Sequence, residues 1–245
     1  MFGILYVIAT PIGNLDDLSP RALSTLTQVD AIICEDTRVS KKLLFAFEIQ
    51  NKLLVAYHQH SDPFVTRRIG DLLRSGKNCA LLTDAGTPGV SDQGGRLVAA
   101  LSTGLGADFK AVPIPGPSAV TAILSVSGLP ADSFLFLGFP PHKKGRAKYF
   151  RRVAESQETV VFYESPHRIQ KTLIELATAC VAGTAEPRGE PSEFYGDPAV
   201  SRRIVVGREL TKKFETIYRG LVNEAATLVP EADHRGEFVI VVEAS

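Results

Sequence analysis

The stretch Cys79-Ala80-Leu81-Leu82-Thr83-Asp84-Ala85-Gly86-Thr87-Pro88-Gly89-Val90-Ser91-Asp92 is a short apolar run that breaks into a loop of small, hydroxylated and turn-forming residues. A continuous apolar run of this length reads as a parallel strand buried on both faces. In open α/β sheets ligands collect beyond the carboxyl ends of such strands, where Gly lets the backbone approach closely. The stretch therefore predicts a strand end that opens onto a ligand.

Similar runs flank it on both sides. Strands are expected at Ile4 to Ala9, Ala31 to Cys34, Leu53 to Ala56, Cys79 to Leu82 and Ala111 to Ile114, with helical patterns between them at Pro20 to Leu26, Pro63 to Leu73 and Gly95 to Leu101. Strand and helix alternating at this spacing predict a parallel sheet. Pro113-Ile114-Pro115-Gly116-Pro117 then interrupts, because three prolines so close together suit neither a helix interior nor a central strand. A domain boundary is expected there, giving an N-terminal α/β domain over 1–115 and a C-terminal α/β domain over 116–245. In the second half helices are expected at Ser118 to Val126, Arg146 to Glu155, Pro166 to Ala179 and Leu221 to Leu228. Its strands are expected at Phe134 to Leu137, Thr159 to Tyr163, Ile204 to Val206 and Phe238 to Val242. The stretch from Ala182 to Pro198 is hydrophilic, rich in Gly, Pro and Glu and without period, and reads as a long loop.

Composition narrows the ligand and the setting. With 44% apolar residues among 245 the chain can build ordinary cores, and 27 basic against 27 acidic residues leave no global field for a polyanion, so any such contact must be local. Cys34, Cys79 and Cys180 are far apart in apolar surroundings, which predicts buried reduced thiols and neither a disulfide framework nor a metal site. No signal-peptide pattern and no membrane-length apolar run occurs, so a cytoplasmic protein without membrane contact is expected.

If the first sheet is parallel, three loops leave the same edge: Thr10 to Asn14, Thr83 to Asp92 and Pro115 to Ala119. Neither Gly-x-Gly-x-x-Gly nor Gly-x-x-x-x-Gly-Lys-Ser/Thr is present, which argues against NAD and ATP. The loops offer backbone amides and carbonyls, small hydroxyls and one carboxylate, Asp84, a mix suited to a zwitterionic, partly apolar ligand. For Asp84 and Ser118 the alternative is helix N-capping.

Six segments carry a resemblance: Leu5 to Leu15, Cys34-Glu35-Asp36-Thr37-Arg38, Asp84 to Gly89, Pro113 to Ala119, Phe162-Tyr163-Glu164-Ser165-Pro166-His167-Arg168 and Arg208-Glu209-Leu210-Thr211-Lys212-Lys213. Together, and in this order, they resemble the signature segments of the ribosomal RNA small-subunit methyltransferase I family, within the tetrapyrrole methylase superfamily. The resemblance implies two α/β domains with parallel and mixed sheets, an S-adenosyl-L-methionine cleft between them, and a homodimer. It also implies 2′-O-methylation of a decoding-region cytidine in 16S rRNA, free or in the small subunit. Position by position, it implies that Pro11, Ile12 and Gly13 form the first-strand loop against the cofactor and that Asp84, Ala85, Gly86 and Thr87 hold its polar end. Ser118 and Ala119 face it from the fifth-strand loop, and Tyr163 lies near the adenine.

The acceptor hydroxyl is the harder half of such a reaction, since its pKa lies far above neutrality and a nearby base or cation is needed. Glu35, Asp36 and Arg38, after a predicted strand end, could supply a base and its orienter, the alternative being a helix start or surface ion pair; Glu164 and His167 form a second set. For RNA contact the densest basic run is His142 to Arg152, whose helix would carry Lys144, Lys148 and Arg151 on one face. Arg208, Lys212 and Lys213 form a second basic site that Arg202 and Arg203 would extend. Gln93-Gly94-Gly95, in place of a Pro-Gly, and the hydrophilic stretch at 183–198 depart from the family pattern. A small-molecule methyltransferase of the tetrapyrrole type and a non-catalytic RNA-binding dimer are the competing readings.

Overall fold

In the computed structural model, which describes residues 1–58, 61–182 and 202–245, the chain divides into two units, Met1–Ser118 and Ala119–Ser245. The stretch at 183–198 lies outside the described residues.

The first unit is built on a fully parallel sheet of β1 (Ile4–Ile8), β2 (Ala31–Cys34), β3 (Leu53–Ala56), β4 (Cys79–Leu81) and β5 (Lys110–Ile114), in the order β3-β2-β4-β1-β5. Every residue of β2 and β4 is buried, as their unbroken apolar runs require of strands covered on both faces. Pro113 is a member of β5, where its missing N–H is tolerated because β5 is an edge strand paired only with β1.

Four helices cover the sheet: α1 (Pro20–Gln28), α2 (Thr37–Ala46), α3 (Pro63–Arg74) and α4 (Gly94–Leu105). Local chemistry starts three of them. Ser19, Asp36 and Asp62 are N-caps whose side chains accept from the backbone N–H of Ala22, Arg38 and Phe64, and Pro20 and Pro63 open the first turns of α1 and α3. The sequence offers α2 only as the alternative of a helix start at Glu35, Asp36 and Arg38, and Asp36 does start the helix as its N-cap.

α1 and α2 pack through Ala22, Leu26 and Leu44 on the sheet face of Ile8, Ile32 and Ala80. α3 and α4 pack through Ile69, Leu73, Leu97 and Leu101 on the opposite face of Leu5, Ile33 and Cys79. Right-handed crossovers demand this division, because α1 and α2 run toward β3 while α3 and α4 run toward β5. The loop after β4 consequently leaves to one face and the loops after its neighbours β1 and β2 to the other, which opens a crevice at the carboxyl end of β4.

The second unit holds a mixed sheet of β6 (Phe134–Phe136), β7 (Thr159–Glu164), β8 (Arg203–Arg208), β9 (Thr216–Leu221) and β10 (Phe238–Val242), in the order β6-β7-β10-β8-β9. Only β6 and β7 pair in parallel; the other neighbours are antiparallel. Alternate residues face alternate sides. Val161, Val205, Val239 and Val241 meet α5 (Ala119–Ser127), whereas Val160, Phe162, Val206 and Ile240 meet α6 (Arg146–Ala154) and α7 (Ile169–Ala182).

The helix expected from Leu221 to Leu228 is instead the end of β9, a short turn and a one-turn helix, α8 (Ala225–Leu228). Thr216-Ile217-Tyr218 is rich in β-branched and aromatic residues, and pairing with β8 overrides the weak helical period that follows. All three cysteines are buried and free, and burial raises each thiol pKa. Among the described residues no helix is long and apolar enough to cross a membrane.

Candidate active site at the carboxyl end of β4

The loop from Thr83 to Gln93 is fastened to each of the other strand ends around it. Toward β1, the backbone N–H of Thr10 donates to the Gly86 carbonyl at 2.9 Å and that of Gly86 to the Thr10 carbonyl at 3.0 Å, a two-bond bridge. The buried Thr10 hydroxyl adds a bond to the Thr83 carbonyl at 3.2 Å. Toward β5, the Thr87 hydroxyl donates to the Pro117 carbonyl at 3.1 Å. Toward β2, the backbone N–H of Asp36 donates to Asp84 Oδ1 at 3.2 Å. Within the loop, Asp92 accepts from the N–H of Gly89 at 2.9 Å and of Gly94 at 2.6 Å.

Two glycines make this closeness possible. Gly86 has φ +81°, a left-handed conformation that L side chains rarely adopt, and an added Cβ would also touch Ile12 at 3.4 Å. A Cβ on Gly116 would stand 3.1 Å from that of Ala9, because the β5 loop lies against the end of β1. The sequence-predicted residues Pro11, Ile12, Gly13, Asp84, Ala85, Gly86 and Thr87 are thus brought to one strand-end cluster, with Ser118 at the end of the same unit. Asp84 stands well before α4, which begins at Gly94, so it is no helix cap. Ala119 and Tyr163 belong to the second unit, where Tyr163 is the last residue but one of β7, beside Phe136 and Phe139 with ring centroids at 5.1 and 5.4 Å.

The carboxylates at this edge differ in kind. Asp36 is fixed by capping α2 and by an ion pair with Arg38 at 2.6 Å, and the Arg38 hydrogen bonds pull its pKa down to about 2. Among the described residues Glu35 carries no such partner. Loss of hydration and the negative charges of Asp84 and Asp92 raise its pKa above the ordinary 4.5, against a small opposing effect of His58. Asp84 is raised too, chiefly by loss of hydration, with the Asp36 amide working the other way. One residue of the predicted trio, Glu35, is therefore suited to accept a proton, while Asp36 and Arg38 hold each other and the start of α2.

The second set is corrected. Glu164 is 1% exposed and saturated: it accepts from the Ser165 N–H at 2.7 Å and the Thr172 hydroxyl at 2.5 Å, pairs with Arg168 at 2.7 Å and lies 3.8 Å from Arg146. Such a carboxylate joins β7 to α7 and is not available as a base, and His167 is exposed beside it.

Several of the basic residues are likewise engaged within the protein, whereas Lys148 and Arg151 are exposed on α6. Arg146 is buried, with its guanidinium on Glu175, Thr172 and the Pro141 carbonyl. Lys144 precedes α6 and shares no helical face with Lys148. Arg202 donates to the carbonyls of Val153, Ala154 and Glu243, and Arg203 pairs with Glu243 at 2.5 Å. Arg208 pairs with Asp233, and Lys212 with Glu209 and Glu237. The second basic site is largely neutralised within the protein.

The pattern of the tetrapyrrole (corrin/porphyrin) methylases matches residues 4–226. The ribosomal RNA small subunit methyltransferase I of Bacillus subtilis is 42% identical over 244 residues, 99% of this chain and 76% of that protein. That of Vibrio cholerae is 44% identical over 242 residues, 98% of this chain and 76% of that protein. The chain belongs to this family of methylases. The architecture of the methylase agrees with solved structures: the methyltransferase CobJ superposes with a TM-score of 0.67 at 18% identity, covering 99% of this chain and 95% of CobJ. Uroporphyrin-III C-methyltransferase from Thermus thermophilus, complexed with S-adenosyl homocysteine, gives 0.61 at 15%, covering 98% and 97%. At these identities the likeness is one of fold.

Proposed function

We propose that this methylase transfers a methyl group from S-adenosylmethionine to the 2′-hydroxyl of a decoding-region cytidine in the 16S RNA of the small ribosomal subunit. The observation that carries the reading is identity above 40%, over nearly the whole chain, to methyltransferases named for small-subunit ribosomal RNA. The β4 loop fits such a cofactor: Gly86 and Gly116 keep side-chain bulk out where three strand ends meet, and Asp84 offers a charge to an ammonium group. The cofactor supplies an activated methyl group on a sulfonium.

The residues of the chain then have two tasks. Asp84 to Thr87, with Pro11, Ile12, Gly13, Ser118 and Ala119, bind and orient, and orientation lowers much of the barrier to methyl transfer; Tyr163 offers an aromatic face for adenine. Glu35 takes the proton of the ribose hydroxyl at a carboxylate oxygen as the new O–C bond forms. A homodimer is the assembly implied by the resemblance, and light scattering at twice the 26.5 kDa chain mass tests it.

Replacing Asp84 by Ala or Asn is expected to weaken S-adenosylmethionine binding by about 10- to 100-fold, the worth of one charge-assisted hydrogen bond of about 1.5–3 kcal/mol. Asn keeps an acceptor for the Asp36 amide, so an equal loss in both variants, read by calorimetry, assigns the effect to the charge. Unchanged affinity in both refutes the assignment of Asp84. The reaction itself is tested with methyl-labelled S-adenosylmethionine and small subunits lacking the modification. Label on a cytidine ribose of 16S RNA is expected; label on a base, or on an added tetrapyrrole and not on RNA, overturns the reading.

A further inference from the structure

Lys148, Arg151 and Arg152 stand at i, i+3 and i+4 on α6, and with Leu135 of edge strand β6, Glu155 and Ser156 they line an open groove of ≈ 630 Å³. Three observations set this groove apart from an ordinary solvated helix face. The other side of α6 is buried through Arg146, Phe150, Val153 and Ala154, which holds the three cations on one side. Most other basic groups nearby in sequence or in the second unit, Arg146, Arg168, Arg202, Arg208 and Lys212, are taken up by carboxylates or carbonyls, whereas Lys148, Arg151 and Arg152 form no ion pair among the described residues. Finally, basic residues in a last helical turn often answer the exposed carbonyls of the helix end. Here Arg202 already donates to the carbonyls of Val153 and Ala154, so Arg151 and Arg152 are not needed for that purpose.

We propose that this groove docks the phosphate backbone of the RNA substrate. The proposal rests on the RNA-methylating reading above and adds to it the surface that holds the RNA. A chain with equal numbers of basic and acidic residues attracts a polyanion only where charge is locally unbalanced, and three cations against the single carboxylate of Glu155 give such a place. Leu135 and the aliphatic stems of the long side chains supply an apolar floor suited to ribose, while the charged ends meet phosphate oxygens.

The test is fluorescence anisotropy of a labelled small-subunit RNA fragment with the full chain at several salt concentrations. Lys148→Gln/Arg151→Gln/Arg152→Gln is expected to lose about tenfold or more in affinity and to flatten the slope of log affinity against log salt by about 2 to 3. Lys148→Arg/Arg151→Lys/Arg152→Lys is expected to keep both, and calorimetric affinity for S-adenosylmethionine to stay unchanged throughout. Lys148→Gln alone, an exposed change in the first turn of α6 that leaves folding intact, is expected to flatten the slope by about 1. An unchanged slope in the Gln variants of a chain that still methylates RNA overturns the groove and leaves the functional reading standing. The expected slope changes in a chain that transfers no methyl group to RNA overturn the functional reading and leave the groove standing. Loss of binding to phosphatidylserine vesicles with no loss for RNA assigns the surface to membranes and likewise overturns the proposal.

Discussion

Glu35→Gln is expected to slow methyl transfer to RNA by ~10²–10⁴-fold, the usual contribution of a positioned general base, with little change in S-adenosylmethionine affinity. The substitution keeps the size and polarity of the side chain at an exposed position between β2 and the cap of α2, so folding is not at stake. A base works as the carboxylate. Partial loss of hydration and the neighbouring Asp84 and Asp92 raise the Glu35 pKa, so the acid limb of the rate profile should lie above that of a free glutamate at 4.5. Activity rises with pH through that limb, and Glu35→Gln should remove it. Asp36→Asn offers the contrast: Asn still caps a helix, and a carboxylate held down to about 2 is a weak proton acceptor, so a much smaller loss is expected. Single-turnover rates across pH for both variants decide the matter, and a larger loss in Asp36→Asn would reverse the assignment.

Glu164→Ala carries the largest expected effect on stability. The change would leave Arg168 and Arg146 facing an emptied site at the end of β7, together with the hydroxyl of Thr172 and the amide of Ser165. Removing one member of a buried ion pair costs about 3–5 kcal/mol, because the remaining charge stays out of water unpaired. Loss on that scale should lower the midpoint of thermal unfolding by roughly 10 °C or more. Glu164→Gln should cost less, since the amide oxygen can still accept from Ser165 and Thr172. Calorimetric unfolding of both variants measures this, and a midpoint within about 2 °C of the parent protein for Glu164→Ala would contradict the reading of Glu164 as the joint between β7 and α7.

Sequence and structure agree where one physical cause dominates. Ala31 to Cys34 and Cys79 to Leu81 are strands in both, because an unbroken apolar run between turn residues has few other places to go. The convergence of the Thr10, Thr83 and Pro115 loops follows from parallel pairing alone. Agreement fails where the partner is remote in sequence. Nothing local to Arg146 or Arg202 announces Glu175 or the Glu243 carbonyl, so both read as surface cations although Arg146 is buried and Arg202 is half-buried with its guanidinium on backbone carbonyls. The same holds for Glu164, whose pairing with Arg168 fits helical spacing but whose contacts with Thr172 and Arg146 exist only once α6 and α7 pack on β7. Asp36 is the intermediate case: its N–H reaches Asp84 across 48 residues of chain, whereas its capping of α2 through the Arg38 N–H two positions on is a local signal, legible as the alternative of a helix start.

The β4 loop is proposed as the seat of the methylase's cofactor. A crystal structure of the protein grown with S-adenosylhomocysteine tests it most directly. Density for the amino-acid portion is expected against Asp84 to Thr87, flanked by Pro11 to Gly13 and Ser118; an ordered ligand bound elsewhere, with that loop untouched, would refute the assignment.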